Sequence, residues 1–146
     1  MGGKSYKGAT LAFGDFGLKA IGRGWLSARQ IEAARKTISH HTKRVGRLWV
    51  RVFPDKSYTK KGAGVRMGGG KGEIEGYVCV VRPGRVLFEL GGVTQEIANE
   101  SLKLAAQKIG FKTQIISKHG LWKNKTNKFF KIHIKVRRLN VAYVEI

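Results

Sequence analysis

The sequence is poor in cysteine, proline and acidic residues, and each shortage excludes a class of protein. Among its 146 residues there is one cysteine, Cys79, and there are two prolines. A single thiol can form neither an internal disulfide nor a cysteine-based metal cluster, so we expect reducing surroundings. No run of residues approaches the roughly 18 consecutive apolar residues of a transmembrane helix. Residues 1–10 lack the apolar centre of a secretory signal.

Acidic residues are also few beside the basic ones. The chain has 29 Lys and Arg against 9 Asp and Glu, which gives a formal net charge of +20 and a pI near 10.6. Residues 1–72 carry a net charge of +13, residues 73–100 carry −3 and residues 101–146 carry +10. A surface this positive repels itself and requires an anionic partner. Nucleic acid is the first candidate, and an anionic membrane is the second.

Residues that perform catalysis or bind metals are not grouped in the sequence. Asp15, Asp55 and Glu73 are scattered, and the histidines at 40, 41, 119 and 133 have no cysteine or paired carboxylate at ligand spacing. We therefore predict a protein that is not an enzyme and has no metal or other cofactor. A nucleic-acid enzyme is the rival hypothesis, and it would require a convergent carboxylate or histidine cluster.

Hydrophobic periodicity predicts two helices. Ser27 and Gln30 have the spacing of a capping box, and apolar residues recur at helical intervals as far as Gly46, which predicts a helix over 28–45. Its inward positions would be Ile31, Ala34, Ile38 and Val45. This face lacks the bulky apolar residues of a membrane-bound helix. A second helix is predicted from Thr94 to Gly110, with inward positions Ile97, Leu104, Ala105 and Ile109.

Strand-like runs lie between and after these helices. We predict strands at 47–53, 76–81, 85–90 and 112–117, with the middle two joined as a hairpin by the turn at 82–84. The order of elements favours an α+β fold in which two helices pack on a mixed β-sheet. We expect a single domain over residues 1–120, followed by a basic extension over residues 121–146.

Residues 54–72 form a basic, glycine-rich segment that is predicted to be a long loop. Its lysines and arginine alternate with small residues, and glycine allows the backbone to approach a phosphate chain closely. A phosphate-binding loop motif ending at Gly70-Lys71 would require glycine at 65 and Ser or Thr at 72, where this chain has Val65 and Gly72. The loop is therefore predicted to contact RNA, with a merely solvated flexible loop as the alternative, and not to bind a nucleoside triphosphate.

For the aromatic residues and for the end of the chain, the sequence leaves both a structural and an RNA-binding role open. Trp49, Phe53, Tyr77 and Phe88 lie in predicted strands and are expected in the core. Five further aromatic residues fall in polar or glycine-rich contexts, where base stacking and small hydrophobic clusters remain open: Phe13, Phe16, Trp25, Tyr58 and Trp122. Apolar and cationic residues alternate over 130–137, which predicts either an ordinary edge strand or a strand whose cationic face follows phosphates.

Several longer motifs resemble one family. They are Phe13-Gly-Asp-Phe-Gly-Leu-Lys-Ala20, Leu26-Ser-Ala-Arg-Gln-Ile-Glu-Ala-Ala-Arg35, Trp49-Val-Arg-Val-Phe-Pro-Asp-Lys56, Val65-Arg-Met-Gly68 with Gly70-Lys-Gly72, and Pro83-Gly-Arg-Val-Leu-Phe-Glu-Leu90. Over about residues 11–118 the chain resembles bacterial-type large-subunit ribosomal proteins of the L-sixteen family. The resemblance implies an α/β-hammerhead-like fold, and large-subunit rRNA, aminoacyl-site tRNA and neighbouring ribosomal proteins as partners. No homo-oligomer is expected.

The resemblance also implies roles for particular residues. The loop of Arg66, Met67, Gly68, Gly70, Lys71 and Gly72 would extend toward the tRNA, and Arg66 matches an arginine that is hydroxylated in some bacteria. Together with the charge pattern, it predicts these rRNA contacts: Lys19, Arg23, Arg29, Arg35, Lys36, Lys43, Arg44, Arg51, Lys56, Lys60, Lys61, Arg66, Lys71, Lys118, Lys131 and Lys135.

Two departures from the family pattern bear on localisation. The family's basic N-terminal arm is short here, and residues 121–146 are an addition. These departures favour a ribosome of the mitochondrial matrix, with the bacterial cytoplasm as the alternative.

Overall fold

The computed structural model describes residues 2–118 of the chain. The predictions for Lys131, Lys135 and the strand at 130–137 lie outside the described residues. Two helices and seven strands confirm the α+β class. In chain order the elements are β1 (Phe16–Ala20), β2 (Gly24–Ser27), α1 (Ala28–His41), β3 (Arg47–Val50), β4 (Lys56–Lys60), β5 (Glu73–Val81), β6 (Val86–Gly91), α2 (Gln95–Ala106) and β7 (Thr113–Ser117).

The strands form two sheets, whereas the sequence predicted one mixed sheet. The first sheet has the order β3-β6-β1-β7 and the second the order β2-β5-β4, and every pairing among the described strands is antiparallel. β6 and β7 both run antiparallel to β1, so they are parallel to each other across it. Strand β6, helix α2 and strand β7 therefore follow one another as in a parallel β-α-β crossover, although β1 lies between the two strands in the sheet.

The core lies where the two helices meet the first sheet. α1 packs against α2, and α2 contacts β1 and β7. Phe88 is buried as predicted and is the largest fully buried side chain, and its strand β6 is buried along its whole length. Phe53 and Tyr77 were predicted to be core residues, but 77% of Phe53 is exposed and so is half of Tyr77. Phe53 follows the end of β3, so the prediction that this strand continues to residue 53 was wrong.

Helix α1 begins as predicted and ends earlier. The Ser27 hydroxyl accepts from the Gln30 N–H and the Gln30 side chain accepts from the Ser27 N–H, so the capping box is confirmed. The helix was predicted to reach residue 45 but ends at His41. Lys43 and Arg44 adopt φ angles of 52° and 64°. Their N–H groups donate to the carbonyls of His40 and Ser39, which is the Schellman pattern of a helix end. Val45 is consequently 61% exposed and is not a core residue.

The helix end yields a stability prediction. Left-handed backbone costs a non-glycine residue about 1–2 kcal/mol, offset in part because glycine gains more freedom when unfolded. Lys43→Gly should therefore raise the free energy of unfolding by about 0.5–1 kcal/mol. The matched control, Lys36→Gly in the middle of α1, removes the same charge and should lower it by about 1 kcal/mol. Denaturant unfolding measures both, and equal effects would contradict the assignment.

The structure also corrects the predicted end of helix α2 and some of its predicted inward positions. Thr94 is the N-cap as predicted, but the helix ends at Ala106 and not at Gly110. Ala105 and Ile109 are buried as predicted, whereas Ile97 and Leu104 are exposed. The positions they were expected to fill belong to Ala98, Ser101 and Leu102.

The predicted hairpin at 82–84 is wrong, although its turn exists. The Arg85 N–H donates to the Arg82 carbonyl, but β5 and β6 belong to different sheets. The turn instead carries the chain from the second sheet to the first. Strands β1, β2 and β4 were not predicted, and β4 occupies part of the segment that was expected to be entirely loop. Neither helix among residues 2–118 is long and apolar enough to cross a membrane.

Candidate nucleic-acid interface

Strands β4 and β5 present a cationic loop. The two strands pair down to Lys60 opposite Glu73, and residues 61–72 extend beyond that pair. Gly64, Gly68, Gly69 and Gly70 all have positive φ angles, and an added Cβ at these four positions would meet no neighbouring atom. Their backbone geometry therefore requires glycine, and the space around them is open.

The loop places its two distal cations in solvent. Arg66 and Lys71 are exposed, and neither has a hydrogen-bond or ion-pair partner among residues 2–118. Met67 is 94% exposed beside them. The proximal lysines are engaged: Lys60 lies 3.7 Å from a Glu75 carboxylate oxygen, and Lys61 donates to the Gly68 carbonyl. Lys60 and Lys61 thus hold the base of the loop, whereas the side chains of Arg66 and Lys71 are available to bind an anion.

The outer face of α1 is less uniformly cationic than the sequence predicted. Arg29 and Lys36 are exposed. Arg35 donates two hydrogen bonds to Glu32, at 2.8 and 2.7 Å, and these bonds hold the pKa of the Glu32 carboxyl below its ordinary value. Lys36 lies 3.9 Å from the same carboxylate. Because Lys43 and Arg44 lie in the turn after the helix, they are not part of this face.

The other predicted contacts lie on strands and their ends. Lys19 is half-buried in β1, Arg23 is exposed in the β1–β2 turn, and Lys118 is exposed after β7. The backbone N–H of Lys118 donates to the Asp15 carbonyl at 2.8 Å.

A cleft of about 930 Å³ between α1 and the segment after β3 gathers cations from separate elements. Arg35, Arg51 and Lys56 from the predicted set line it, with Arg82 and Arg85, which the sequence analysis did not select. Arg85 donates to the Lys7 and Arg51 carbonyls, at 3.1 and 3.2 Å, so it ties segments together. The Lys56 ammonium lies 4.7 Å from the centroid of the Trp25 ring. One sequence signal could have selected Arg82 and Arg85 as interface candidates, because they lie on either side of the Pro83-Gly84 turn.

Arg51 is held by a buried carboxylate. Its guanidinium pairs with Glu89, whose side chain is fully buried in β6. Glu89 also accepts N–H donations from Ala12, Phe13 and Gly14, at 3.1, 2.7 and 2.9 Å. Burial alone raises the pKa of Glu89, but the three backbone donors and the charge of Arg51 outweigh it and bring the pKa below its ordinary value. Arg51 therefore has a structural task that the sequence analysis did not foresee.

Two observations on the described residues concern metal binding and the one thiol. No group of three or more His, Cys, Asp or Glu within residues 2–118 has the geometry to hold a metal ion. Cys79 is half-buried against the core, and burial raises the pKa of its thiol, which favours the unreactive protonated form.

Comparison with known proteins decides the family. The family model described as ribosomal protein L16p/L10e matches residues 1–116. The chain belongs to this family. The L16p/L10e chain is also 52% identical over 119 residues to the large ribosomal subunit protein uL16 of Thermosipho melanesiensis, an alignment that covers 82% of this chain and 84% of the relative. That relative is bacterial, which fits the bacterial alternative for localisation and gives no support to the mitochondrial one.

Proposed function

We propose that this L16p/L10e chain is a structural constituent of the large ribosomal subunit, where it binds large-subunit rRNA near the aminoacyl-tRNA site. It supports subunit assembly and tRNA accommodation, with rRNA, A-site tRNA and neighbouring ribosomal proteins as partners. Family membership and the bacterial uL16 relative support this proposal. Residues 1–120 would be the RNA-binding domain and residues 121–146 a basic extension.

The observation that carries the proposal is the exposed loop at 61–72. Its glycines leave the backbone accessible, and Arg66 and Lys71 have no internal partner among the described residues. Side chains that are already paired inside the protein gain little by binding phosphate, whereas unpaired cations release counterions from RNA when they bind it. A guanidinium such as that of Arg66 also fits two phosphate oxygens at once. The loop is therefore built to contact an anion outside the protein.

The double variant Arg66→Ala/Lys71→Ala tests this function. The variant should enter large subunits that lack their own family member, and these subunits should accommodate aminoacyl-tRNA more slowly than subunits with the unchanged chain. The free energy of unfolding should stay within about 0.5 kcal/mol, because neither side chain packs on the protein. Rapid-mixing kinetics with fluorescent tRNA and denaturant unfolding measure the two quantities.

Helix α2 offers a charge-matched control. Lys103 is exposed on the mixed polar face of α2 and Lys108 is exposed just after the helix, and Lys103→Ala/Lys108→Ala removes the same two charges. This control should leave accommodation unchanged. Equal slowing by both double variants would reduce the loop's effect to net charge alone, and a large loss of stability in the loop variant would assign the loop to the core.

A further inference from the structure

We infer that Phe13 and Trp49 form a stacking site for one unpaired RNA base, and that Asp15 accepts hydrogen bonds from the edge of that base. Guanine is the base whose donors fit this arrangement. This inference rests on the proposed RNA-binding function. The two rings are stacked, with centroids 6.0 Å apart and planes inclined by 20°. They border a shallow depression of about 370 Å³ that Asp15 and Arg47 also line.

The exposure of Phe13 decides between the two interpretations that the sequence left open. Phe16 packs against the core, whereas 62% of Phe13 is exposed even though it contacts Trp49 and lies 4.9 Å from the Arg51 guanidinium. A ring that served mainly to cover a hydrophobic cluster would be mostly hidden. An accessible aromatic ring in a cationic, RNA-binding protein is suited to stacking on a base.

The segment that carries Phe13 is rigidly placed. Three successive N–H groups of residues 12–14 point at the buried Glu89 carboxylate. A Cβ on Gly14 would lie 2.8 Å from the Leu90 carbonyl oxygen, so only glycine permits this approach to β6. A buried ionised group is costly unless it is fully satisfied. Here it fixes the position of an exposed ring, and such pre-organisation lowers the entropic cost of binding.

Asp15 gives the depression its selectivity. Its N–H donates to the Leu90 carbonyl and its carbonyl accepts from Lys118, so both sides of its backbone are held. Its exposed carboxylate has no hydrogen-bond or salt-bridge partner within residues 2–118. An ionised carboxylate repels phosphate and only accepts hydrogen bonds. Guanine presents two adjacent donors, N1–H and the N2 amino group, on one edge, while Arg47 supplies positive charge for the flanking phosphates.

Removing the ring should weaken RNA binding without changing its dependence on salt. The probe is a transcript of the large-subunit rRNA of Thermosipho melanesiensis. We expect Phe13→Leu to bind it about 5- to 150-fold more weakly, the range observed for loss of one stacked base, and Phe13→Tyr to restore binding. The slope of log affinity against log salt counts phosphate contacts, so it should stay unchanged. Phe53→Leu removes an exposed ring elsewhere and serves as the matched control, which should bind like the unchanged chain.

The base preference has its own measurement. In a background of Trp25→Phe and Trp122→Phe, Trp49 is the single tryptophan. The RNA pentamer AAGAA should quench its emission, and AAIAA, with inosine lacking the N2 amino group, should bind about tenfold or more weakly, the size of one hydrogen bond to an ionised group. Asp15→Asn should remove most of this difference.

The outcomes separate this inference from the function on which it rests. If the unchanged chain does not bind the rRNA, the proposed function fails. If it binds and Phe13→Leu binds equally well, or Phe53→Leu loses as much, the stacking site is overturned while RNA binding stands. Equal binding of AAGAA and AAIAA overturns the assignment of Asp15 to a guanine edge.

Discussion

The free energy of unfolding is expected to fall by about 3–5 kcal/mol when Glu89 is replaced by alanine. The substitution leaves the Arg51 guanidinium without its anion and leaves the N–H groups of Ala12, Phe13 and Gly14 without their acceptor. An unpaired charge and unsatisfied buried donors are among the few mechanisms that produce losses of this size. Denaturant unfolding at pH 7 measures the change.

Stability should also depend on pH through the same carboxyl group. Because the pKa of Glu89 is lower in the folded state than its ordinary value, its ionised form stabilises the fold. This contribution is fully present above the unfolded pKa of about 4.3 and is lost as pH falls through the lower folded value. The unchanged chain should therefore lose stability with acid below about pH 4.3 more steeply than Glu89→Gln.

Two further variants separate the contributions that the charge of Glu89, the volume of its side chain and its partner Arg51 make to the free energy of unfolding. Glu89→Gln keeps the volume and one acceptor but places an amide donor among N–H donors, so it should approach the alanine variant in stability. Arg51→Ala leaves Glu89 with its three backbone donors and should cost less than the loss of Glu89 itself. A loss below about 1 kcal/mol for Glu89→Ala, or equal acid sensitivity of the unchanged chain and Glu89→Gln, would contradict the role assigned to this group.

Features that depend on neighbouring residues were predictable from the sequence. The capping box at Ser27 and Gln30 involves groups three residues apart, and the inward positions Ile31, Ala34 and Ile38 follow from one helical period. The end of α1 was missed because its Schellman motif uses Lys43 and Arg44 where glycine is the usual signal. Local sequence signals therefore predicted the first residue of α1 correctly. They did not predict its last residue, because the residues that follow it are not glycine.

Features that depend on distant residues could not be predicted in this way. Strand β1 is only five residues long, contains a glycine and takes its place from β6 and β7, which lie far along the chain. The pair of Arg51 and Glu89 joins residues 38 positions apart, so charge counting placed Arg51 among the RNA contacts without its internal partner. The exposed loop was predictable because it needs no partner inside the protein.

Binding to large-subunit rRNA is expected to weaken about a thousandfold or more between 50 and 200 mM salt. Among the predicted contacts, seven have a side chain with no hydrogen-bond or ion-pair partner within residues 2–118: Lys19, Arg29, Lys43, Arg44, Arg66, Lys71 and Lys118. At about 0.7–0.9 per phosphate contact, they give a slope of log affinity against log salt near −5 to −6.

Paired cations should contribute less to that slope, because their acid partners already neutralise them. Arg66→Ala/Lys71→Ala should therefore make the slope shallower by about 1.5, whereas Arg51→Ala should leave it nearly unchanged because Arg51 is bound to Glu89. Filter binding at a series of salt concentrations measures both. A slope for the unchanged chain shallower than about −3 would show that too few cations reach phosphate for electrostatics to drive binding. A large change with Arg51→Ala would show that this guanidinium leaves Glu89 to bind RNA.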